Sequence, residues 1–368
     1  MNNTPVFFLR DPSKFPLFIH TQKRNPQTNL KDADMFWDYL STNPESTHQL
    51  MILFSDRGTP DGYAHMNGYS GHTFKLVDKD GNFNYVQFHF KIDQGIKTLD
   101  NEQAGELSGS NPDYATQDLF EKIESGNYPS WTCYVQVLSP EQAEKFRWNI
   151  FDLTKVWPHG EVPLRRFGKM TLNKNPVNYF AEIEQAAFSP SHTVPGIEAS
   201  ADPVLQSRLF SYPDTHRHRL GVNYQQIPVN KPRCPVFNFQ RDGFMAVDGN
   251  FGANPNYIAS DRPVKFKKAP TSEAHEQWTA HALTFMHQIT DDDFVQPAAL
   301  WEKVLARQPG QQEHLVHNIA VHLSNARKDI RERQYGVFDR VSKEMGKMVR
   351  EATEAAASAK SQSVEAKL

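Results

Sequence analysis

The segment "RLFSYPDTHRHRLG", residues 208 to 221, places Arg208, Arg217, Arg219, His216 and His218 around a single phenol, Tyr212. On a helix, Arg208, Tyr212, His216 and Arg219 fall at spacings of four, four and three, so they share one face. A cation one turn from a phenol favours the phenolate, because it stabilises the negative oxygen. A phenolate is a hard anionic oxygen and suits ferric iron. Arg219, about two turns along, could reach a carboxylate on the same ligand. The plainer reading is a solvated basic turn, since Pro213 can interrupt the helix. His216 and His218 make a poor metal pair on a helix, where i and i+2 point apart.

The elements that must position this face are legible in part. "HTFKLV" and "NFNYVQFHFKI" flank "DKDG" and predict a hairpin over residues 72–92. Within the second strand, Phe83 and Tyr85 keep one phase while Val86, Phe88 and Phe90 keep the other, which predicts a bulge. "SWTCYVQVL" (130–138) and "RRFGKMTL" (165–172) read as further strands, and "NPDYATQDLFEKIESGNYPSW" reads as a helix with an Asp/Asn cap and a glycine stop. Residues 173–270 are rich in Pro, Asn and Tyr and read as a tract that wraps over a core. From residue 291 the pattern is helical. Acidic residues and Pro297 open a first helix, and Leu315, Ile319, Leu323, Ala326 and Ile330 then hold one face. "GVFDRVSKEMGKMVREATEAA" predicts a last helix, followed by a polar tail.

Composition excludes several classes. Lys plus Arg is 40 and Asp plus Glu is 43 in 368 residues, so no global basic field points to nucleic acid or an anionic membrane. No apolar run approaches the ~18 residues needed to cross a bilayer. Cys133 and Cys234 cannot build a disulfide framework. "MNNTPVFFLRDPSKF" lacks the pattern of a secretory signal. The final residues, Ala366-Lys367-Leu368, approach the Ser-Lys-Leu peroxisomal address, and the Ala/Ser-rich run before them predicts a tail that an import receptor can read.

The segment around Tyr212 resembles the proximal haem-ligand signature of the haem catalases, most closely the small-subunit, NADPH-binding kind of fungi and animals. "NNTPVFFLRDPSKFPLFIHTQKRNPQT", "FSDRGTPDGYAHMNGY", "HFKIDQGIK", "FDLTKVWPHGEVPL", "NPVNYFAEIEQAAF", "PGIEAS" and "FQRDG" follow in that family's order over roughly residues 2–255. The resemblance implies haem b with Tyr212 as the axial iron ligand, Arg208 as its charge partner, Arg219 as a propionate contact and His216 beside the porphyrin. It implies that Asn2 hydrogen-bonds peroxide on the distal side and that Phe7, Phe8 and Phe15 wall the pocket, with Phe15 stacking on the ring. It also implies an NADPH site made by His48, Ser55, Arg57, Asn67, Lys91, Trp157 and His159. The chemistry is coherent. Arg57 and Lys91 supply cations for a 2′-phosphate, and Trp157 and His159 supply faces and donors. No G-x-G-x-x-G is present, so such a site would not be of the Rossmann kind.

The expected fold is α+β: a catalase-like antiparallel β-barrel lacking its N-terminal half, a wrapping segment and a C-terminal helical region. Residues 1–172 are expected to form the second part of the barrel core, with inserted helices. Residues 173–290 form the wrapping segment with the iron ligand, residues 291–356 the helical region and residues 357–368 a flexible tail. The family carries its distal histidine ahead of the "NNTP" motif, and no histidine here matches it. A distal histidine moves a proton between the peroxide oxygens, and losing such general acid–base catalysis costs about 10²–10⁴-fold in rate. The expected function is dismutation of hydrogen peroxide by a haem- and NADPH-binding homotetramer in the peroxisome. Three readings stay open: an incomplete record of an ordinary catalase, a truncated chain that partners full-length subunits without turnover, and a relative acting on other hydroperoxides. The 368 residues by themselves are expected to be haem-poor, with little turnover.

Overall fold

The computed structural model describes residues 3–233, 242–249, 252–253, 257, 273–284 and 288–365. In chain order the helices are α1 (Phe15–Gln22), α2 (Ala33–Thr42), α3 (Thr47–Phe54), α4 (Asn101–Ser110), α5 (Tyr114–Glu124), α6 (Pro140–Glu144), α7 (Pro203–Leu220), α8 (Glu273–Thr284), α9 (Asp292–Ala299), α10 (Gln311–Leu323), α11 (Lys328–Val341) and α12 (Lys343–Glu365). The strands are β1 (Gly68–Tyr69), β2 (Phe74–Val77), β3 (Phe83–Ile92), β4 (Ser130–Leu138), β5 (Arg165–Thr171) and β6 (Ile197–Ala199). The strands form one antiparallel sheet in the order β5-β4-β3-β2-β6, with β1 paired to β3. The fold is α+β, as the sequence implies.

The hairpin over 72–92 forms as β2 and β3 with Phe74 opposite Val86. The expected bulge in β3 does not. Its ladder to β4 is unbroken from Tyr85 to Ile92, and the register shift lies instead on the other side of β4, between Cys133 and Tyr134. The phase slip came from taking Gln87 and His89 as outward residues. Both are buried on the Phe83/Tyr85 face, where Gln87 Nε2 donates to Thr73 Oγ1 (3.3 Å) and His89 Nε2 lies 2.8 Å from Gln136 Oε1. A strand covered on both faces loses the apolar–polar alternation that marks a half-buried one.

The described residues form two hydrophobic cores, one on the sheet and one among the helices. Phe83, Tyr85, Leu138, Ile150, Phe151, Trp157 and Val162 pack with Trp278 of α8 on one side. Tyr85 Oη lies 2.7 Å from His275 Nε2, and His275 Nδ1 lies 2.9 Å from Glu144 Oε1, which pins α8 to the strands. The larger core joins Leu9, Trp37, Leu40, Leu50 and Met51 to Trp301, Leu315, Ile319, Tyr335, Phe338 and Met345. The C-terminal helices therefore close over α2 and α3.

The helical region departs from expectation at its joints. The face from Leu315 to Ile330 is split between α10 and α11, and the last predicted helix is split at Ser342, whose extended backbone (φ −160°, ψ 134°) ends α11. The tail expected to be flexible from residue 357 continues α12 to Glu365. Its Ala-rich sequence favours helix, and Lys360 Nζ bonds Ser324 Oγ (2.9 Å) and Asn325 Oδ1 (2.7 Å). Helix α4, which the sequence reading passed over, is held by a capping box between Asp100 and Gln103.

A buried quartet ties these parts together. Arg10 Nη1 meets Asp152 Oδ2 (2.9 Å) and Asp293 Oδ1 (2.6 Å), and Lys155 Nζ meets the same carboxylates at 2.8 and 2.7 Å. Two cations face two anions, so none of the four is buried unpaired.

Candidate functional site

Helix α7 runs unbroken through Pro213. Asp202 starts it: Oδ1 accepts from the backbone N–H of Val204 (2.9 Å) and Leu205 (3.1 Å), and Pro203 occupies the first turn, where no donor is missed. Continuity through Pro213 puts Arg208, Tyr212, His216 and Arg219 on one face. Arg208 Nη2 donates to Tyr212 Oη at 2.8 Å, with its guanidinium carbon 4.8 Å from the Tyr212 ring centre. Among the described residues, nothing accepts a hydrogen bond from the Tyr212 hydroxyl.

The sequence reading missed the other end of this arrangement. Arg208 Nη1 lies 2.7 Å from His72 Nε2, and His72 Nδ1 lies 2.7 Å from Asp202 Oδ2. An arginine only donates, so His72 Nε2 accepts and its ring hydrogen sits on Nδ1, facing Asp202. The result is a four-residue relay, Asp202–His72–Arg208–Tyr212. Its Asp202–His72 end is almost fully enclosed, with His72 2% and Asp202 1% exposed. His72 stands 136 positions from Arg208, so no local spacing could have shown it.

The remaining haem-side residues divide. His216 is buried, its ring 6.1 Å from that of Tyr212 and its Nε2 2.8 Å from the Phe188 carbonyl. Arg219 is exposed and donates to the carbonyls of Glu184 (2.5 Å) and Ala186 (2.9 Å), besides lying 3.2 Å from His216 Nδ1. The Pro12–Lys14 turn that leads into Phe15 packs against α7. Phe15 is 44% exposed, and its ring lies 6.4 Å from Phe7. Phe8 instead turns into the helical core, stacked 4.5 Å from Phe18. Asn2 lies outside the described residues.

The second set of residues also divides. Asn67 Nδ2 and Lys91 Nζ both donate to Tyr69 Oη, at 3.1 and 3.2 Å, and Lys91 sits 4.6 Å over the Tyr69 ring. Burial works to raise the Tyr69 phenol, but the charges of Lys91 and Arg57 outweigh it and hold the phenol below its usual value. His89 is 5.5 Å from Tyr69 and 5.7 Å from His159, ring to ring. Burial first, and then Lys91, pushes His89 down to about 4 and lowers the exposed His159 as well. Both rings are therefore neutral near pH 7, and Arg57 and Lys91 carry the positive charge. Tyr69 is the residue that sequence reasoning missed; it ends β1, two positions after Asn67.

His48, Ser55 and Trp157 are buried. Burial pushes His48 down to about 4, and its Nδ1 has no partner among the described residues. Ser55 Oγ donates to the Ile52 carbonyl (2.7 Å), and Trp157 packs in the aromatic core.

The family model for catalase matches residues 1–263, and that for "catalase-related immune-responsive" proteins matches residues 288–353. The chain belongs to the catalase family. Catalase of Schizosaccharomyces pombe is 64% identical over 355 residues, which cover 96% of this chain and 69% of that relative. Peroxisomal catalase A of Saccharomyces cerevisiae is 56% identical over 363 residues, covering 96% of this chain and 70% of its own. Among solved structures, a fungal catalase superposes with a TM-score of 0.87 at 54% identity, covering 96% of this chain and 72% of that one.

Proposed function

We propose that the chain works as a haem catalase, converting two molecules of hydrogen peroxide into two of water and one of oxygen. The observation that carries this reading is the Asp202–His72–Arg208–Tyr212 relay. The donor set fits haem: Tyr212 Oη receives a hydrogen bond and gives none among the described residues, which is the state of a ligand oxygen. Tyr212 would hold the iron, and His216 would flank the ring. Arg219 would face a propionate by exchanging its carbonyl partners. Haem, when bound, supplies the redox-active iron for the dismutation. The chain's own residues fix the electron density of the ligand. Asp202 holds the ring hydrogen of His72, His72 orients the guanidinium, and Arg208 keeps a positive charge against the phenol oxygen. Asn2, one position before Asn3, would meet the peroxide.

In a version extended to the full length of its relatives, replacing Tyr212 by Phe is expected to abolish haem retention while leaving the far-UV circular dichroism unchanged. A variant that keeps stoichiometric haem and the parental absorption spectrum would overturn the assignment.

The Arg57, Asn67, Tyr69, Lys91 and His159 cluster is read as the NADPH site, with His48, Ser55 and Trp157 behind it. Two cations with no carboxylate ion-pair partner among the described residues, beside a phenol and an imidazole, suit a nucleotide phosphate. The peroxisome is the proposed location, read through Ala366-Lys367-Leu368, which lie outside the described residues. Deleting these three residues from a fluorescent fusion is expected to leave it in the cytosol, and continued import would argue for another route.

A further inference from the structure

Three side chains on one face of α10 grip the loop that carries Arg57. Gln311 Nε2 donates to Asp56 Oδ2 (2.6 Å), His314 Nδ1 lies 2.9 Å from the same oxygen, and Asn318 Nδ2 donates to the Phe54 carbonyl (2.8 Å). Spacings of three and four place them in a row along the helix. The loop is fixed from two other sides. Asn3 Nδ2 donates to the Arg57 carbonyl (3.0 Å), and Thr59 Oγ1 donates to the Leu99 carbonyl (2.7 Å). Asp56 is buried and sits next in sequence to Arg57, whose charge reaches Tyr69. A carboxylate charge on the residue that precedes the cation of an anion site weakens that site's positive field.

We propose that His314, by neutralising Asp56, makes anion binding at the Arg57–Lys91 site depend on pH, with Asp56, Gln311 and Asn318 as positioning residues for Arg57. This rests on the reading of that cluster as a dinucleotide site and adds its regulation from the C-terminal helical region. The hydrogen bond to Asp56 raises His314 above the ordinary histidine value; partial burial works against this, and the charges of Asp56, Asp100 and Glu102 work with it. Among the described residues, these three carboxylates are the charged groups that act on it. On the next turn, His317 Nε2 lies 3.1 Å from Glu102 Oε1. Below its raised value His314 is cationic, the Asp56–His314 pair is neutral, and Arg57 acts unopposed. Above it His314 still donates a hydrogen bond but carries no charge, and the uncompensated Asp56 charge weakens the field that Arg57 offers an anion.

The test is calorimetric titration of the full chain with NADPH from about pH 6 to about pH 9, a range that spans histidine ionisation. The parental chain is expected to bind more tightly at the acidic end. His314→Gln keeps a donor on Asp56 and cannot titrate. It is expected to show the weaker, alkaline-limb affinity throughout, roughly threefold to tenfold below the parent at the acidic end, the scale of one charge in a partly screened site. Asp56→Asn is expected to hold the tighter affinity across the range. Identical pH profiles for the parent and His314→Gln would overturn the proposal while leaving the dinucleotide reading intact. Loss of affinity in Asp56→Asn with the parental pH profile would show that Asp56 serves only to fold the loop. Absence of NADPH binding by the parent would remove both readings.

Discussion

Arg57 and Lys91 set the discrimination expected of the dinucleotide site. Only NADPH carries a 2′-phosphate, and charge-assisted hydrogen bonds to it are worth about 1–3 kcal/mol, so NADPH is expected to bind roughly 5- to 150-fold more tightly than NADH. Equal affinities by calorimetry would count against the site. Arg57→Ala should narrow the gap without affecting haem, because among the described residues no hydrogen bond or ion pair joins Arg57 to α7. What was legible at this scale depended on distance along the chain. Arg208 and Tyr212 were readable, because a four-residue spacing on a helix forces contact. His72 was not, because its meeting with Arg208 exists only once the sheet and α7 pack. Phe8 illustrates the opposite limit: an aromatic residue in a motif carries the same letter whether it walls a pocket or, as its ring shows, fills a core.

Among elements, the turn after α3 leaves no room for a side chain at Gly58. A Cβ on Gly58 would fall on the Leu53 carbonyl, with Leu53 Cα 3.4 Å away. The obstacle is backbone, which cannot swing aside. Gly58→Ala is expected to destabilise the chain by about 1–3 kcal/mol, the usual range for overpacking, and to weaken NADPH more than haem. Thermal unfolding followed by circular dichroism gives the first quantity and ligand titration the second; an unchanged melting temperature would sink the claim. The hairpin was legible because its turn residues and apolar runs agree. The supposed bulge was an error of the same method, since polar side chains that hydrogen-bond inside a covered strand mimic a change of phase. The breaks between α10, α11 and α12 escaped notice because a face that continues across a joint keeps its periodicity.

Over the whole molecule, the Arg10–Asp152–Lys155–Asp293 quartet governs acid stability. Burial works to raise both aspartates, but for Asp152 the charges of Lys155 and Arg10 outweigh it, and for Asp293 the Arg10 hydrogen bond and the Lys155 charge do. Asp293 falls to about 2. A carboxylate depressed in the folded state contributes stability above its unfolded value of ~3.9 and loses it as pH falls toward the folded one. Acid unfolding is therefore expected to steepen between about pH 4 and about pH 2. Replacing Arg10 by Met, which leaves Asp152 and Asp293 with Lys155 alone, is expected to cost about 3–5 kcal/mol. Chemical denaturation at neutral pH checks it, and a loss below about 1 kcal/mol would contradict the role given to the quartet. The quartet also orders events during synthesis. Asp293 follows Arg10 by 283 positions and Lys155 by 138. At a ribosomal rate of about 5–20 residues per second, Arg10 and Lys155 share a single carboxylate for roughly 7 to 28 seconds before Asp293 is made. During that interval the nascent chain holds a surplus positive charge where its interior will be. Final closure of α2 and α3 is therefore expected to wait for the last quarter of the chain, which carries Asp293 and the helices that pack on them.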